Sequence, residues 1–165
     1  MNYMATYREM SLYVRLFMKS YPLGRYAVDP VPCAPLRQPL KKARIAIVTS
    51  AGLHTTEQPE FDHSIKLGDT SFREIAGDVN VKNLIESHES DSFDHAGVEA
   101  DRNLVFPLER LREMHAAGEI GDIARRHFSF MGSLINPRQL IDEPAPEVAR
   151  RLRADAVDAC LLTPV

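Results

Sequence analysis

Lys41-Lys-Ala-Arg-Ile-Ala-Ile-Val-Thr-Ser-Ala-Gly52 carries the fold of this chain. Ile45–Val48 is an unbroken apolar run rich in β-branched residues, and Thr49-Ser50-Ala51-Gly52 replaces it with small and polar ones. A strand covered on both faces reads as a continuous apolar run, and a polar, glycine-bearing segment behind it reads as a turn. The stretch therefore predicts the first strand of a parallel sheet and its βα turn.

Upstream, Pro22, Pro30, Pro32, Pro35 and Pro39 keep residues 21–40 out of helix and out of a sheet interior, which predicts an extended strap. Further back, Met10, Tyr13, Val14 and Phe17 recur at helical spacing. They predict a short amphipathic helix packed on its own domain or on a partner subunit, not a membrane anchor. Arg8, Glu9, Arg15 and Lys19 interrupt the apolar residues of this segment, so it does not read as a signal peptide. No stretch approaches the roughly 18 apolar residues of a membrane span. The expected organisation is a helix and Pro-rich strap over residues 1–40 and an incomplete α/β domain over 41–165.

Downstream, residues 53–103 are crowded with His, Asp, Glu, Ser and Asn, with strand or turn character around Ser71-Phe-Arg-Glu-Ile75. A polar stretch of about fifty residues exceeds ordinary loop length, and Phe61, Phe72 and Phe93 within it argue against full disorder. Regularity returns at Leu104. Pro107 suits a first helical turn, Leu108, Leu111 and Met114 or His115 mark one face, and Gly118 suits a C-cap. Ile120–Met131 predicts a second strand closed by Gly132. Asp142, Glu143 and Glu147 open a last helix that Arg150, Arg151 and Arg153 close, charges that complement the helix dipole at both ends. Val148 and Leu152 give its buried face, Asp155–Asp158 a turn, and Ala159-Cys-Leu-Leu162 a buried closing strand tipped by Thr163-Pro-Val165. The expected class is α/β: an open, mainly parallel, Rossmann- or flavodoxin-like sheet with flanking helices and a long polar insertion after the first strand. Ligands in such sheets bind beyond the carboxyl ends of strands, here Thr49–Gly52, Phe130–Gly132 and Thr163–Val165.

A net charge of −3 over 165 residues, with basic residues scattered or accounted for at a helix end, gives no footprint for nucleic acid. Two cysteines with no Cys-x-x-Cys pair or zinc spacing fit a reducing, cytoplasmic compartment. Glycine-rich phosphate loops and a nucleophile elbow are absent from the sequence. His54, just past the first strand, is a proton-shuttle or carboxylate-donor candidate, or a histidine that ties its loop to backbone carbonyls. Arg73 could clamp a carboxylate with Glu74 orienting it, or form an ion pair that pins the insertion to the sheet. His63, His88 and His95 with Asp62, Asp91 and Asp94 match no metal-ligand spacing and read as loop polarity. Cys160 reads as a core residue and Cys33 as inert.

Several segments together resemble one family. Ala34–His54, Gly68–Ile75, Asp101–Arg112, His127–Gly132 and Ala156–Val165 are similar, in order, to blocks of the selenoprotein B family of glycine, sarcosine, betaine and D-proline reductases. Residues 1–20 have no clear counterpart, and Ala156 stands where the family usually has Gly. The resemblance implies dithiol-dependent reductive cleavage of a C–N bond alpha to a carboxylate, on a small amino-acid-like substrate. It also implies a thiol reductant protein and other reductase subunits as partners. It places His54, Arg73, Glu74, Asn103 and His127 in the pocket, with His54 supplying protons and Arg73 holding the carboxylate. The family's selenocysteine or cysteine follows directly after the strand matching Ala159–Val165, and Cys160 stands too early in that strand to replace it. The expectation is a subunit or truncated form, cut at a UGA codon read as stop. The alternative is a non-catalytic ligand-binding or assembly module that kept the fold without the redox residue.

Overall fold

The computed structural model describes residues 11–20, 28–90 and 93–165. Two compact units divide between Pro35 and Leu36. In the first, helix α1 (Leu12–Ser20) forms as the helical spacing predicts and leaves Leu12, Tyr13 and Leu16 exposed. Met10 of the expected stripe and Pro22 of the expected strap lie outside the described residues. Residues 28–35 hold no helix or strand.

In the second unit the elements run β1 (Arg44–Thr49), β2 (Leu53–His54), β3 (Phe72–Ala76), β4 (Ile85–Glu86), α2 (His95–Ala100) and α3 (Leu108–Ala116). They continue as β5 (Asp122–Ile123), β6 (Arg126–Phe130), α4 (Arg138–Asp142), α5 (Pro144–Ala154) and β7 (Ala159–Thr163). β1 lies between neighbours on both sides. β7 runs parallel along its length, from Ile45↔Ala159 to Thr49↔Thr163. The other side of β1 takes β5 at Arg44↔Asp122 and β6 at Val48↔Phe128, both parallel. The register shifts by two residues between those pairs (122 − 44 = 78, 128 − 48 = 80), so β5 and β6 are one strand broken by Ala124-Arg125. The Ile47 N–H opposite the break donates instead to His127 Nδ1 at 2.9 Å.

β3 pairs with β6 in the antiparallel sense, from Phe72↔Phe130 to Ala76↔Arg126. The sheet is therefore mixed, where the apolar runs alone suggested a mainly parallel one. β3 belongs to the stretch expected as a polar insertion. That stretch also supplies Phe61, Ile75, Val81, Leu84 and Val98 to the buried interior, so it is part of the domain's body. The closing strand is likewise not buried. β7 is an edge, with Leu161 and Leu162 exposed, because β1 pairs with it on one side and no described strand pairs with it on the other.

Alternation along the strands sorts side chains to two faces. Ile45, Ile47 and Ile75 pack with Phe106, Leu108 and Leu111 on the α3 face. Phe128, Phe130 and Val148 pack with Val48, Phe72 and Leu152 on the α5 face. Each fully buried aliphatic or phenyl side chain contributes about 1.5–3 kcal/mol. α3 starts behind Pro107 and stops before Gly118, whose φ of +71 is one that glycine adopts without strain. α5 carries Pro144 at its start, Glu147 in its first turn and Arg151 and Arg153 in its last. Asp142 instead ends α4, and Glu143 stands at the junction.

The amino-terminal ends of the strands gather charge. The Asp155 carboxylate, 1% exposed, takes Arg125 Nη2 at 2.6 Å and also the Arg126 guanidinium. Arg126 and Arg151 share Glu74, Arg151 adds Glu147, and Arg44 joins Asp122 at 2.9 Å. Among the described residues no helix is long and apolar enough to cross a membrane.

Candidate functional site

At the carboxyl ends of β1 and β7 the chain is tied to itself by small polar groups. The Ser50 N–H donates to the Thr163 carbonyl at 3.3 Å, and Ser50 Oγ accepts from the Val165 N–H at 3.0 Å. Thr163 Oγ1 donates to the Val105 carbonyl at 2.7 Å. Gly52, at φ +64, turns the chain so that its N–H meets the Phe130 carbonyl and its carbonyl receives the Ser87 N–H. The segment after β4 is thereby drawn against the strand tips.

A cavity of about 470 Å³ opens there, lined by His88, Ser90, Phe93, Val105, Ser133 and Val165 among others. Most of its wall is apolar, with His88, Ser90, Asp94 and Ser133 as its polar residues. His88 is 7% exposed, its ring stacks on Phe93 with centroids 4.3 Å apart, and its Nδ1 accepts the Ser90 N–H at 3.2 Å. Its Nε2 has no hydrogen-bond partner. Burial pushes the His88 imidazolium pKa down, so the ring is neutral at pH 7. A neutral imidazole that accepts at Nδ1 carries its proton on Nε2. The Nε2 atom lies against Gly132, where an added Cβ would come within 2.5 Å of it and 3.0 Å of both the Ser50 and Val165 carbonyls. On the other face of the same tips, Val48, Ser50, Phe130, Leu162 and Pro164 border a second, apolar cavity of about 270 Å³.

The five residues singled out from the sequence are not brought together. His54 is 1% exposed and has both ring nitrogens engaged, Nδ1 with the Thr55 carbonyl at 2.9 Å and Nε2 with Ser87 Oγ at 2.7 Å. It ties β2 to the segment beyond β4. Arg73 makes four hydrogen bonds and one longer ion pair within the chain. Nε meets the Pro59 carbonyl, Nη1 meets Ser71 Oγ and the Phe72 carbonyl, and Nη2 meets the Glu60 carbonyl and, at 3.8 Å, Asp69. Its guanidinium lies 4.1 Å over the Phe61 ring. Glu74 does not orient it: neighbouring strand residues face opposite sides, and Glu74 turns to Arg126 and Arg151. Asn103 caps α3, accepting the Glu109 N–H at 3.2 Å and donating to the Glu109 carboxylate at 2.7 Å. His127 is fully buried on the α3 face, edge-on to Phe106 at 5.6 Å, with its pKa pushed down to about 4 chiefly by burial.

The other polar groups of residues 53–103 have separate partners. His63 meets the Ser87 carbonyl, His95 meets Glu86 and the Ser90 carbonyl, and Asp94 caps α2 through the Gly97 N–H. Asp91 lies outside the described residues. No group of three His, Cys, Asp or Glu side chains could hold a metal ion among the described residues. Both cysteines are free, and burial raises the Cys160 thiol to about 11, so it is protonated at neutral pH.

A family model described as glycine/sarcosine/betaine reductase selenoprotein B matches residues 11–165, which extends the likeness into the segment where the sequence showed no clear counterpart. Among curated proteins, the D-proline reductase subunit gamma of Acetoanaerobium sticklandii is 36% identical over 129 residues, covering 78% of this chain and 51% of its own length. The glycine reductase complex component B subunit gamma of Carboxydothermus hydrogenoformans is 33% identical over 147 residues, 83% of this chain and 31% of its own length. The betaine reductase complex component B subunit beta of Peptoclostridium acidaminophilum is 26% identical over 130 residues, 79% of this chain and 29% of its own length. The chain thus spans about half to less than a third of the length of these relatives. No solved structure matches.

Proposed function

The chain belongs to the glycine/sarcosine/betaine reductase selenoprotein B family, and from that premise we propose that it forms the substrate-side part of a cytoplasmic amino-acid reductase subunit. The reaction is reductive cleavage of a C–N bond alpha to a carboxylate. The carbon gains a hydrogen, the nitrogen is freed as an amine that stays tethered where the substrate is a ring, and a dithiol supplies two electrons and two protons and becomes a disulfide. A thiol protein delivers the electrons and further reductase subunits complete the assembly, in line with relatives named as subunits or complex components. The selenolate or thiolate that breaks the bond belongs, on this reading, directly after the residues matching Ala159–Val165.

One observation carries the reading: the cavity of about 470 Å³ closes on Val165 at the tip of β7, where such a nucleophile would meet a bound substrate. Its apolar wall would exclude water from the reacting centre, and Ser50, bonded to Val165, would hold the tip in place. Cys160 fits the role poorly, since its thiol is raised to about 11 within the strand.

The test, with dithiothreitol, is amine release from glycine, sarcosine and betaine and appearance of a primary amine by ring opening of D-proline. The whole protein assembled with its partner subunits is expected to turn over at least one of them, and Met1–Val165 alone to turn over none. Steady turnover by the isolated chain that Cys160→Ser abolishes would contradict the assignment. An inactive whole assembly that still binds these molecules would favour a binding or assembly module.

A further inference from the structure

Two histidines in the second unit have a buried Nε2 without a hydrogen-bond partner, and they sit in different surroundings. His127 Nε2 is sealed in the core, where the ring edge meets Phe106. His88 Nε2 is beside a cavity of about 470 Å³. A buried polar group without a partner costs about 1–3 kcal/mol, so one retained at a cavity wall is a place where an arriving acceptor gains affinity. No lysine or arginine lines this cavity; its polar residues are His88, Ser90, Ser133 and Asp94, and since a carboxylate has nothing to donate, the recognition of a ligand oxygen falls to the neutral donors.

We infer that His88 is the residue that grips the ligand in this cavity, donating from Nε2–H to a carboxylate or carbonyl oxygen of a small molecule whose apolar part lies against Phe93 and Val105. Three contacts fix the donor. The Ser90 N–H occupies Nδ1 and so assigns the proton to Nε2. The Phe93 ring, nearly parallel at 18°, holds the plane of the imidazole. The Glu86 carboxylate takes the His88 backbone N–H and reaches His95 Nδ1 at 2.8 Å, which anchors the segment behind the ring. Gly132 lets the ring pack this closely against the backbone, since a side chain there would start 2.5 Å from Nε2. The inference rests on the reading of this cavity as the substrate pocket of the reductase and adds the residue that recognises the substrate.

Long-range proton–nitrogen spectra of the histidine rings in the full chain test it directly. At pH 7, His88 is expected to show a protonated Nε2 and an unprotonated Nδ1. Addition of betaine or D-proline is expected to move the Nε2–H signal together with the amides of Phe93 and Val105. His88→Phe, which keeps a flat ring over Phe93 without a donor, is expected to bind the same probe about tenfold more weakly or worse. His88→Gln, which restores an N–H near the Nε2 position, is expected to recover most of that loss. A charged ring or an Nδ1–H tautomer at pH 7 would overturn the inference without reference to any ligand. So would a probe that moves Phe93 and Val105 yet leaves Nε2 unmoved, an outcome that keeps the pocket. A correct tautomer with no cavity residue perturbed by any probe would remove the pocket reading and the inference with it.

Discussion

The two ends of the sheet are built on opposite principles. At the amino-terminal end three carboxylates meet guanidinium groups: Asp155 two of them, Glu74 two, and Asp122 one. The Asp155 carboxylate is hidden by these arginines more than by apolar packing, so its charge is matched where it stands. At the carboxyl end there is a cavity, a neutral histidine with a donor unmet, and a tip held by serine and threonine hydroxyls. In the first arrangement these charges are paired within the chain, around a cavity of about 320 Å³ lined by Arg44, Asp122, Arg125 and Asp155. The second leaves one donor, His88 Nε2, without a partner. The contrast teaches that abundance of charge marks the cohesive end of this fold, and an unpaired neutral donor marks the receptive one.

The largest effect should come from the cohesive end. Asp155→Ala leaves Arg125 and Arg126 facing each other without their shared carboxylate, and is expected to cost about 3 kcal/mol in urea unfolding at pH 7. The Arg126 hydrogen bond in first place lowers the Asp155 carboxyl pKa. Its stability contribution is therefore fully present above the unfolded carboxyl value near 4 and is lost as the pH falls through the lower folded value. An Asp155→Ala protein as stable as the wild type at pH 7 would break the comparison at its strongest point.

Next comes His127, which fills the break between β5 and β6. Replacing it with Phe leaves the Ile47 N–H without an acceptor and is expected to cost about 2 kcal/mol. Because the folded pKa lies near 4, below the unfolded value of about 6.5, the unfolded chain binds the extra proton between those limits. The stability that neutral His127 contributes is thus complete above about pH 6.5 and drains away as the pH falls toward 4. His127→Phe should flatten this slope, and an unchanged slope would reassign it to other groups.

Arg73→Lys is expected to be smaller, about 1–2 kcal/mol, because a lysine cannot reproduce the fork that binds the Pro59 and Glu60 carbonyls. Affinity for betaine or D-proline should stay within about twofold, since four hydrogen bonds and the Asp69 ion pair commit the buried guanidinium to its own chain. Lost affinity at unchanged melting temperature would return Arg73 to the substrate. Gly132→Ala sharpens the other end. It should cost about 1–3 kcal/mol in stability while displacing the His88 ring and weakening ligand binding, measured by calorimetry. Unaltered binding would separate Gly132 from the pocket.

Much of the fold was legible because its signals are local. Ile45–Val48 announced β1, Pro107 and Gly118 bracketed α3, and Pro144, Glu147 and the arginines outlined α5. What stayed hidden depends on distant pairing. The antiparallel seat of β3 on β6, the two-residue shift at Ala124-Arg125 and the exposed outer edge of β7 leave no trace in any one segment. The proposed site was hidden for another reason. Polar residues in an apolar setting mark satisfied structure as readily as function, and His54, Arg73 and Asn103 turned out to have their hydrogen bonds within the chain. His88 carried no contrast, sitting in Glu86-Ser-His-Glu-Ser90, where every neighbour is polar. Phe93, which stacks on it, was the one local hint, and the resemblance passed over both because its blocks mark chain segments, not the space between them.

Hydrogen exchange of the full chain, with and without saturating betaine or D-proline, sets the two ends against each other in one measurement. Slower exchange is expected in residues 86–90, 132–134 and 163–165, around the cavity and the β7 tip, with residues 122–126 and 153–158 unchanged at the charged end. Protection at the charged end, or none at the tip with either molecule, would contradict the placement of the ligand site.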